Sequence, residues 1–339
     1  MKSAIRRDGD VNRRIGITTT VPVEIIFAAG DEPVDLNNVF ISQSDALEMV
    51  ERAESAGYPA NVCGWIKGIY SAVIGLGAAD AVVAVTQGDC SNTQALMETL
   101  EYAGVEVVPF AFPYDRDRDM LQLQMEKFAS ALGTTLAQAE NVRDLLYSVR
   151  SKLIEVDRLT WQEGAVTGSD NFEILVNSSD FRGDWKEFES NLDAFLDETA
   201  RREPVDKGAV RLGYLGVPPI LSDLHEVVEH LGVHIVYNEI PRQFSMPFAA
   251  ENLVEQYAHY TYPYGIFARL EDIRAEMQRR SIDGVIHYAQ SFCFRQIEDM
   301  ILRKELAVPI LTIEADKPGR VDARTRTRIE AFVEMLRKE

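Results

Sequence analysis

Two rhythms of apolar residues alternate along the chain. Residues 79–85 are apolar almost without interruption over a strand's length, the pattern of a strand buried on both faces of a parallel sheet. Shorter runs at 32–36, 105–110, 210–216, 234–237, 283–289 and 309–313 read as further strands. Between them, apolar residues fall at helical spacing over 22–30, 44–56, 61–76 and 92–103, and again over 219–231, 267–280, 295–306 and 322–337. Helix punctuation agrees: Pro22 sits in a first turn, Gly30 at a close, and Ser44 or Asp45 is positioned to cap. Such alternation predicts an α/β fold with open, mostly parallel sheets.

From Asp117 to about residue 200 the rhythm is helical throughout, with a break near residues 164–168. The pattern divides the chain into an N-terminal α/β lobe (1–116), a helical connection (117–204) and a C-terminal α/β lobe (205–339). The two lobes share a plan, but no residue-level repeat stands out between them.

Composition narrows the class. At 339 residues the chain suits about two domains, and 46% hydrophobic with 26% charged residues excludes a mainly disordered protein. No run reaches the ~20 apolar residues of a membrane helix, and residues 1–10 lack the apolar stretch of a secretion signal. A cytoplasmic protein without membrane partners is expected. The formal charge of −19 repels phosphate backbones, so no nucleic-acid partner is expected.

The cysteines are Cys63, Cys90 and Cys293, too few for a disulfide scaffold and without a C-x-x-C pair. Three unrelated thiols, some buried as small hydrophobes, is one reading. Placement favours another. Cys90 and Cys293 each lie just past a predicted parallel strand, and Cys63 opens a predicted helix. The carboxyl edge of an open α/β sheet is where ligands bind. Helix starts favour thiolates and bound anions. Three thiolates converging in a cleft between the lobes would suit a [4Fe–4S] cluster with one open iron, with a three-cysteine zinc site as the competitor. Of five histidines, His287 is nearest in sequence, but on an apolar strand it reads as a core residue.

Several stretches, in order, resemble the 2-hydroxyacyl-CoA dehydratase D-component family, which includes benzoyl-CoA reductase cluster subunits and double-cubane cluster proteins. They are residues 16–30 (GITTTVPVEIIFAAG), Asp89-Cys90, residues 284–293 ending in Phe292-Cys293, residues 308–316 (VPILTIEAD) and residues 326–332. The resemblance implies two flavodoxin-like lobes holding an iron–sulfur cluster, with Cys63, Cys90 and Cys293 matching the family's cluster cysteines. It implies an ATP-hydrolysing iron–sulfur activase that injects a low-potential electron. A 2-hydroxyacyl-CoA then loses water through a ketyl radical, or, in the reductase relatives, an aromatic thioester or small molecule is reduced. A homodimer or heterodimer with a related chain is implied too. Three cysteines are too few for a double cubane within one chain, so such a cluster would be shared across the dimer. An electron-transfer subunit with no substrate of its own is the alternative from a different class. A cluster-free α/β binding protein is a further one.

Other residues complete the candidate site. Gln87, Asp89 and Ser91 flank Cys90 as polar neighbours that would hold the cofactor's surroundings. Thr18, Thr19 and Thr20 offer hydroxyls to a cluster sulfide or substrate, with Thr19 the catalytic candidate, while ordinary capping of the helix that follows is an equal reading. Glu314 and Asp316 end a strand at the same edge, Glu314 being the candidate for proton transfer, with capping and loop solvation as the plain alternative. Trp65 and Lys67 are candidates for lining the cleft, with a packed Trp and a surface Lys as the equal alternative. Arg320, Arg324, Arg326 and Arg328 form a basic patch, read as surface salt bridges or as a hold for an anionic tail. Gly75-Leu-Gly77 lacks the strand and third glycine of a dinucleotide loop, and no G-x-x-x-x-G-K-[ST] is present, so ATP use falls to a partner.

Overall fold

The computed structural model describes residues 12–206 and 208–338, so the expectation about residues 1–10 lies outside them. The chain forms two compact units. Unit 1 comprises residues 1–150, 179–188 and 248–265, and unit 2 comprises residues 151–178, 189–247 and 266–339.

Unit 1 is built on a four-stranded parallel sheet in the order β2-β1-β3-β4. Its strands are β1 (Arg14–Ile17), β2 (Glu32–Asp35), β3 (Ala81–Gln87) and β4 (Glu106–Ala111). Ala81 to Val85 are all fully buried, as their unbroken apolar run requires in a central strand with helices on both faces. Gly16 of β1 admits close packing, since a Cβ there would lie 2.8 Å from that of Ala79 and 2.9 Å from a methyl of Leu36. Helices Leu36–Ile41, Ala46–Ser55, Gly64–Leu76 and Thr93–Tyr102 flank the sheet. Glu24, on the helix Val23–Ala28, is fully buried and accepts from Arg150 Nη2 at 2.6 Å, Gln256 Nε2 at 2.8 Å and Tyr257 Oη at 2.9 Å. These bonds join three distant stretches of unit 1 into one body.

Unit 2 repeats the plan. Its strands β5 (Arg211–Gly216), β6 (His234–Asn238), β7 (Gly284–Gln290) and β8 (Ile310–Ala315) are ordered β6-β5-β7-β8, again all parallel. Its core includes Leu215, Val236, Ile273, Val285 and Leu302. Arg280 is fully buried, donating to Asp157 Oδ1 at 2.8 Å and to the Val236 carbonyl at 2.7 Å.

The repeat extends to residues, contrary to the sequence reading. Arg14-Ile-Gly-Ile opens one sheet and Arg211-Leu-Gly-Tyr the other. The Arg14 amide donates to Asp80 Oδ2 at 2.8 Å, and the Arg211 amide to Asp283 Oδ2 at 2.8 Å. Both aspartates return a backbone bond to the arginine carbonyl, at 2.8 and 2.9 Å.

The α/β class and the parallel sheets are as expected, with local differences. β1 escaped prediction because only Ile15 and Ile17 of its four residues carry apolar side chains. Helices Leu36–Ile41, Glu239–Phe244 and Leu253–His259 are too short to show a period. The helix expected over 295–306 starts as a 3₁₀ turn, Phe294–Glu298, before the α-helix Asp299–Glu305. Asp45 does stand at the cap of Ala46–Ser55, but its carboxylate pairs with Arg52 instead of the helix amides.

Candidate functional site

In each sheet the chain leaves the first strand in one direction and the third in the other, which opens a crevice at their carboxyl ends. In unit 1 this edge holds the loops after β1 and β3. Thr18 is absorbed by the fold: its amide donates to the Val83 carbonyl at 3.3 Å, its Oγ1 accepts from the Val85 amide at 3.1 Å, and its carbonyl accepts from Asn37 Nδ2 at 2.9 Å. Thr19 is buried, and Thr20 is 2% exposed with no hydrogen-bond partner for its hydroxyl among the described residues.

The loop after β3 runs Gln87-Gly-Asp-Cys90. Gly88 has φ +100°, and a Cβ there would lie 2.8 Å from that of Pro263 and 3.1 Å from that of Phe112, so glycine is required for the close turn. Gln87 and Ser91 are exposed, and Asp89 accepts from Thr93 Oγ1 at 3.3 Å. The Asn92 amide points at Cys90 Sγ, 3.4 Å away, just before the helix Thr93–Tyr102. Cys63 stands at the cap of Gly64–Leu76 and is 4% exposed. Cys63 and Cys90 meet the same apolar cluster, which includes Leu36, Ile66, Ile69, Val82 and Leu96.

Lys67, by sequence equally a cleft-lining or a surface residue, is instead fully buried. Its Nζ donates to Glu54 at 2.7 Å and to the Ala60 carbonyl at 3.1 Å, bracing the loop that delivers Cys63. Trp65 lies edge-on to Phe40 at 5.6 Å, and its buried Nε1–H has no acceptor among the described residues. Gly77 closes the same helix in the left-handed region, φ 60°, which accounts for the Gly75-Leu-Gly77 pair as a helix end.

Unit 2 places Cys293 at the matching edge. The loop after β7 runs Gln290-Ser-Phe-Cys293, with Phe292 at φ 63°. The Cys293 amide donates to the Gln290 carbonyl at 3.1 Å, and Cys293 starts the 3₁₀ turn Phe294–Glu298. Glu314, on the neighbouring β8, accepts from Ser291 Oγ and Gln296 Nε2, both at 3.0 Å. It therefore grips the Cys293 loop from both sides. Gln290 Nε2 donates to the Asp316 carbonyl at 3.0 Å, while Asp316 Oδ1 is buried without a donor. His287 is a core residue as expected, with Nδ1 2.7 Å from Asp299 Oδ1. The His287 bond, with those from Thr312 and Arg303, holds the Asp299 carboxyl well below its usual range against partial burial. In the basic patch, Arg320 pairs with Asp223 at 2.9 Å and Arg328 donates to the Thr312 carbonyl at 2.7 Å, while Arg324 and Arg326 are exposed.

Glu24 was not singled out in the sequence, although an acidic residue inside the apolar run 23–26 was a visible signal. Among the described residues, no three His, Cys, Asp or Glu side chains group so as to hold a single metal ion. A cubane differs in giving each thiolate its own iron. The chemistry at the unit 1 edge fits such a group. Thiolates are the ligand type such a group takes, and the Thr20 and Trp65 donors, unpartnered among the described residues, suit an anionic, sulfide-rich acceptor.

The fold and these edges define an α/β protein made of two like-ordered parallel sheets, each with a cysteine just past the carboxyl end of its third strand. The chain belongs to the 2-hydroxyglutaryl-CoA dehydratase D-component family, whose model matches residues 18–336. The family gives it a dehydratase-type, lyase-class role and implies an activator partner. No curated protein matches the chain. Among the described residues, no helix is long and apolar enough to cross a membrane.

Proposed function

We propose that the chain is the cluster-carrying component of a 2-hydroxyacyl-CoA dehydratase, with Cys63, Cys90 and Cys293 as the thiolate ligands of one [4Fe–4S] cluster. The observation that supports this most directly is the shared address of Cys90 and Cys293. Each is the third residue beyond the strand that borders the switch point of its sheet. When bound, a three-thiolate cubane supplies low-potential one-electron chemistry with one iron open to substrate.

The chain's own residues bind, orient and protect. Gln87, Asp89 and Ser91 surround Cys90, and the Asp89–Thr93 bond sets the entry to the following helix. Glu314 holds the Cys293 loop, and in this reading its carboxylate moves the proton at that edge. Thr19 offers its hydroxyl to the oxygen functions of the substrate. The substrate class is a 2-hydroxyacyl thioester of CoA. The electron comes from an ATP-hydrolysing iron–sulfur activase, and the working unit is a dimer with an identical or related chain.

The test is iron and acid-labile sulfide on anaerobically purified protein. About four irons per chain are expected, with the content lost in Cys90→Ser. Iron near zero after anaerobic reconstitution would overturn the reading, and zinc in its place would point to a zinc site.

A further inference from the structure

Three adjacent threonine hydroxyls follow β1, and the structure separates them. Thr18 is spent on the sheet, since its Oγ1 accepts from the Val85 amide at 3.1 Å. Thr20 is different: its side chain is 2% exposed, and its hydroxyl meets no acceptor or donor among the described residues. A buried hydroxyl left unbonded is costly, so its persistence points to a partner supplied from outside the chain. A second donor in the same unit is stranded in the same way. Trp65 Nε1–H is buried without an acceptor, two residues beyond Cys63. Unlike a hydroxyl, an indole N–H donates only, so its missing partner is an acceptor. Both donors sit in unit 1, one on the stretch leaving β1 at the switch point, the other in the first turn after the Cys63 cap.

We infer that the Thr20 hydroxyl and the Trp65 indole N–H are hydrogen-bond donors to the sulfur atoms of the bound cluster. This rests on the cluster reading above. Donors of this kind favour the more negative, reduced state and raise a cluster's reduction potential. Thr20→Val keeps the side chain's shape without the hydroxyl, Thr20→Ser keeps the hydroxyl, and Trp65→Phe keeps an aromatic ring against Phe40.

The experiment compares these variants with wild type in two states. In the iron-free protein, Thr20→Val should melt about 2–4 °C higher, because a stranded polar group is gone. After anaerobic reconstitution with iron and sulfide, Thr20→Val and Trp65→Phe should bind as much iron as wild type. Their midpoint potentials in a redox titration followed by electron paramagnetic resonance should be lower. Thr20→Ser should titrate as wild type. Unchanged midpoints in iron-loaded Thr20→Val and Trp65→Phe would overturn the inference and leave the cluster reading intact. A lower melting point in iron-free Thr20→Val would also overturn it for Thr20, by showing a partner within the protein. Wild type that takes up no iron would overturn the cluster reading and this inference with it.

Discussion

Cys90 and Cys293 occupy the same step of two like-ordered sheets. Each follows a strand that ends in glutamine, Gln87 or Gln290, and each lies three residues past that end. Their loops turn by different means, through Gly88 at φ 100° in one and Phe292 at φ 63° in the other. Their exposures match as well, since both are partly buried, whereas Cys63 is enclosed at 4%. Removal of each thiol should therefore have separable effects. Cys90→Ser and Cys293→Ser should both lose iron with little change in the stability of the iron-free protein. Cys63→Ser should lose iron and also cost about 1–2 kcal/mol, because it puts a hydroxyl into an apolar cluster. Urea titration of the iron-free variants beside iron analysis checks this, and equal stability loss in all three would contradict it.

Lys67 is a structural brace, and its removal should show in stability. Its ammonium is fully buried and its partner Glu54 is 24% exposed. Lys67→Ala takes the buried ammonium away from the half-buried Glu54 carboxylate and removes the donor to the Ala60 carbonyl. A loss of about 2–3 kcal/mol is expected, below the range for a fully buried pair. Lys67→Met keeps the packing and should lose less. Denaturant unfolding that places Lys67→Ala within 0.5 kcal/mol of wild type, about the size of an ordinary surface change, would contradict the role.

The units should respond to pH in opposite directions. In unit 1, burial and the neighbouring Asp35 carboxyl push Asp180 up to about 7 from 3.8. Its carboxylate accepts from the Asp35 and Arg182 amides at 2.7 and 2.8 Å, which offset the burial only in part. The folded state holds a proton there that the unfolded state has released, so stability falls as pH rises from about 4 through 7. In unit 2, burial lowers His225 and His234 to about 4 from 6.5. The unfolded state takes up these protons first, so stability is lost as pH falls below 6.5 toward 4. Hydrogen exchange should show residues 32–35 and 179–183 loosening on going from pH 5 to 8, and residues 168–176 and 234–238 loosening from pH 7 to 5. Asp180→Asn should weaken the first trend without removing it, since burial raises Asp35 too, and should lower stability at pH 5, because one of the two backbone amides loses its acceptor oxygen. A uniform pH response across both units would refute the assignment.

Much of this arrangement was legible because burial on both faces writes a strand as an apolar run. β3 announces itself through Ala81-Val-Val-Ala-Val, and with it the position of Cys90. β1 does not, because two apolar side chains cannot be told from a loop, so the kinship of Arg14 with Arg211 emerged only once Asp80 and Asp283 were seen bonding to them. The division of labour among Thr18, Thr19 and Thr20 was likewise hidden. It depends on which hydroxyl meets the Val85 amide, a consequence of how β1 lies against β3. The burial of Lys67 was hidden because lysine is ordinarily a surface or cleft residue, and it is the bonds to Glu54 and the Ala60 carbonyl that make burial tolerable.

Phe292 carries backbone strain beside Cys293. It has φ 63° and is 46% exposed, so little packing offsets the conformation. Phe292→Gly should stabilise the iron-free protein by about 0.5–1 kcal/mol through relief of that strain. If the bend aims Cys293, the same variant should bind iron less tightly, measured as faster loss to a chelator. A more stable variant with unchanged iron retention would show that the strain serves nothing at this edge.

Glu314 separates bracing from proton transfer. Its carboxylate accepts from Ser291 Oγ and Gln296 Nε2, both at 3.0 Å, and a glutamine's Oε1 accepts the same two bonds. Glu314→Gln should therefore keep the Cys293 loop in place, with iron content and melting temperature near wild type. Glu314→Ala removes the acceptor, frees both donors and should lower iron retention. If the carboxylate moves a proton in the dehydration, Glu314→Gln should slow turnover by about 100-fold or more with KM nearly unchanged, and the loss should be insensitive to pH. If it only braces, Glu314→Gln should turn over like wild type while Glu314→Ala fails through the cluster. The pair of variants assayed with a reducing activase thus assigns the carboxylate to one role or the other.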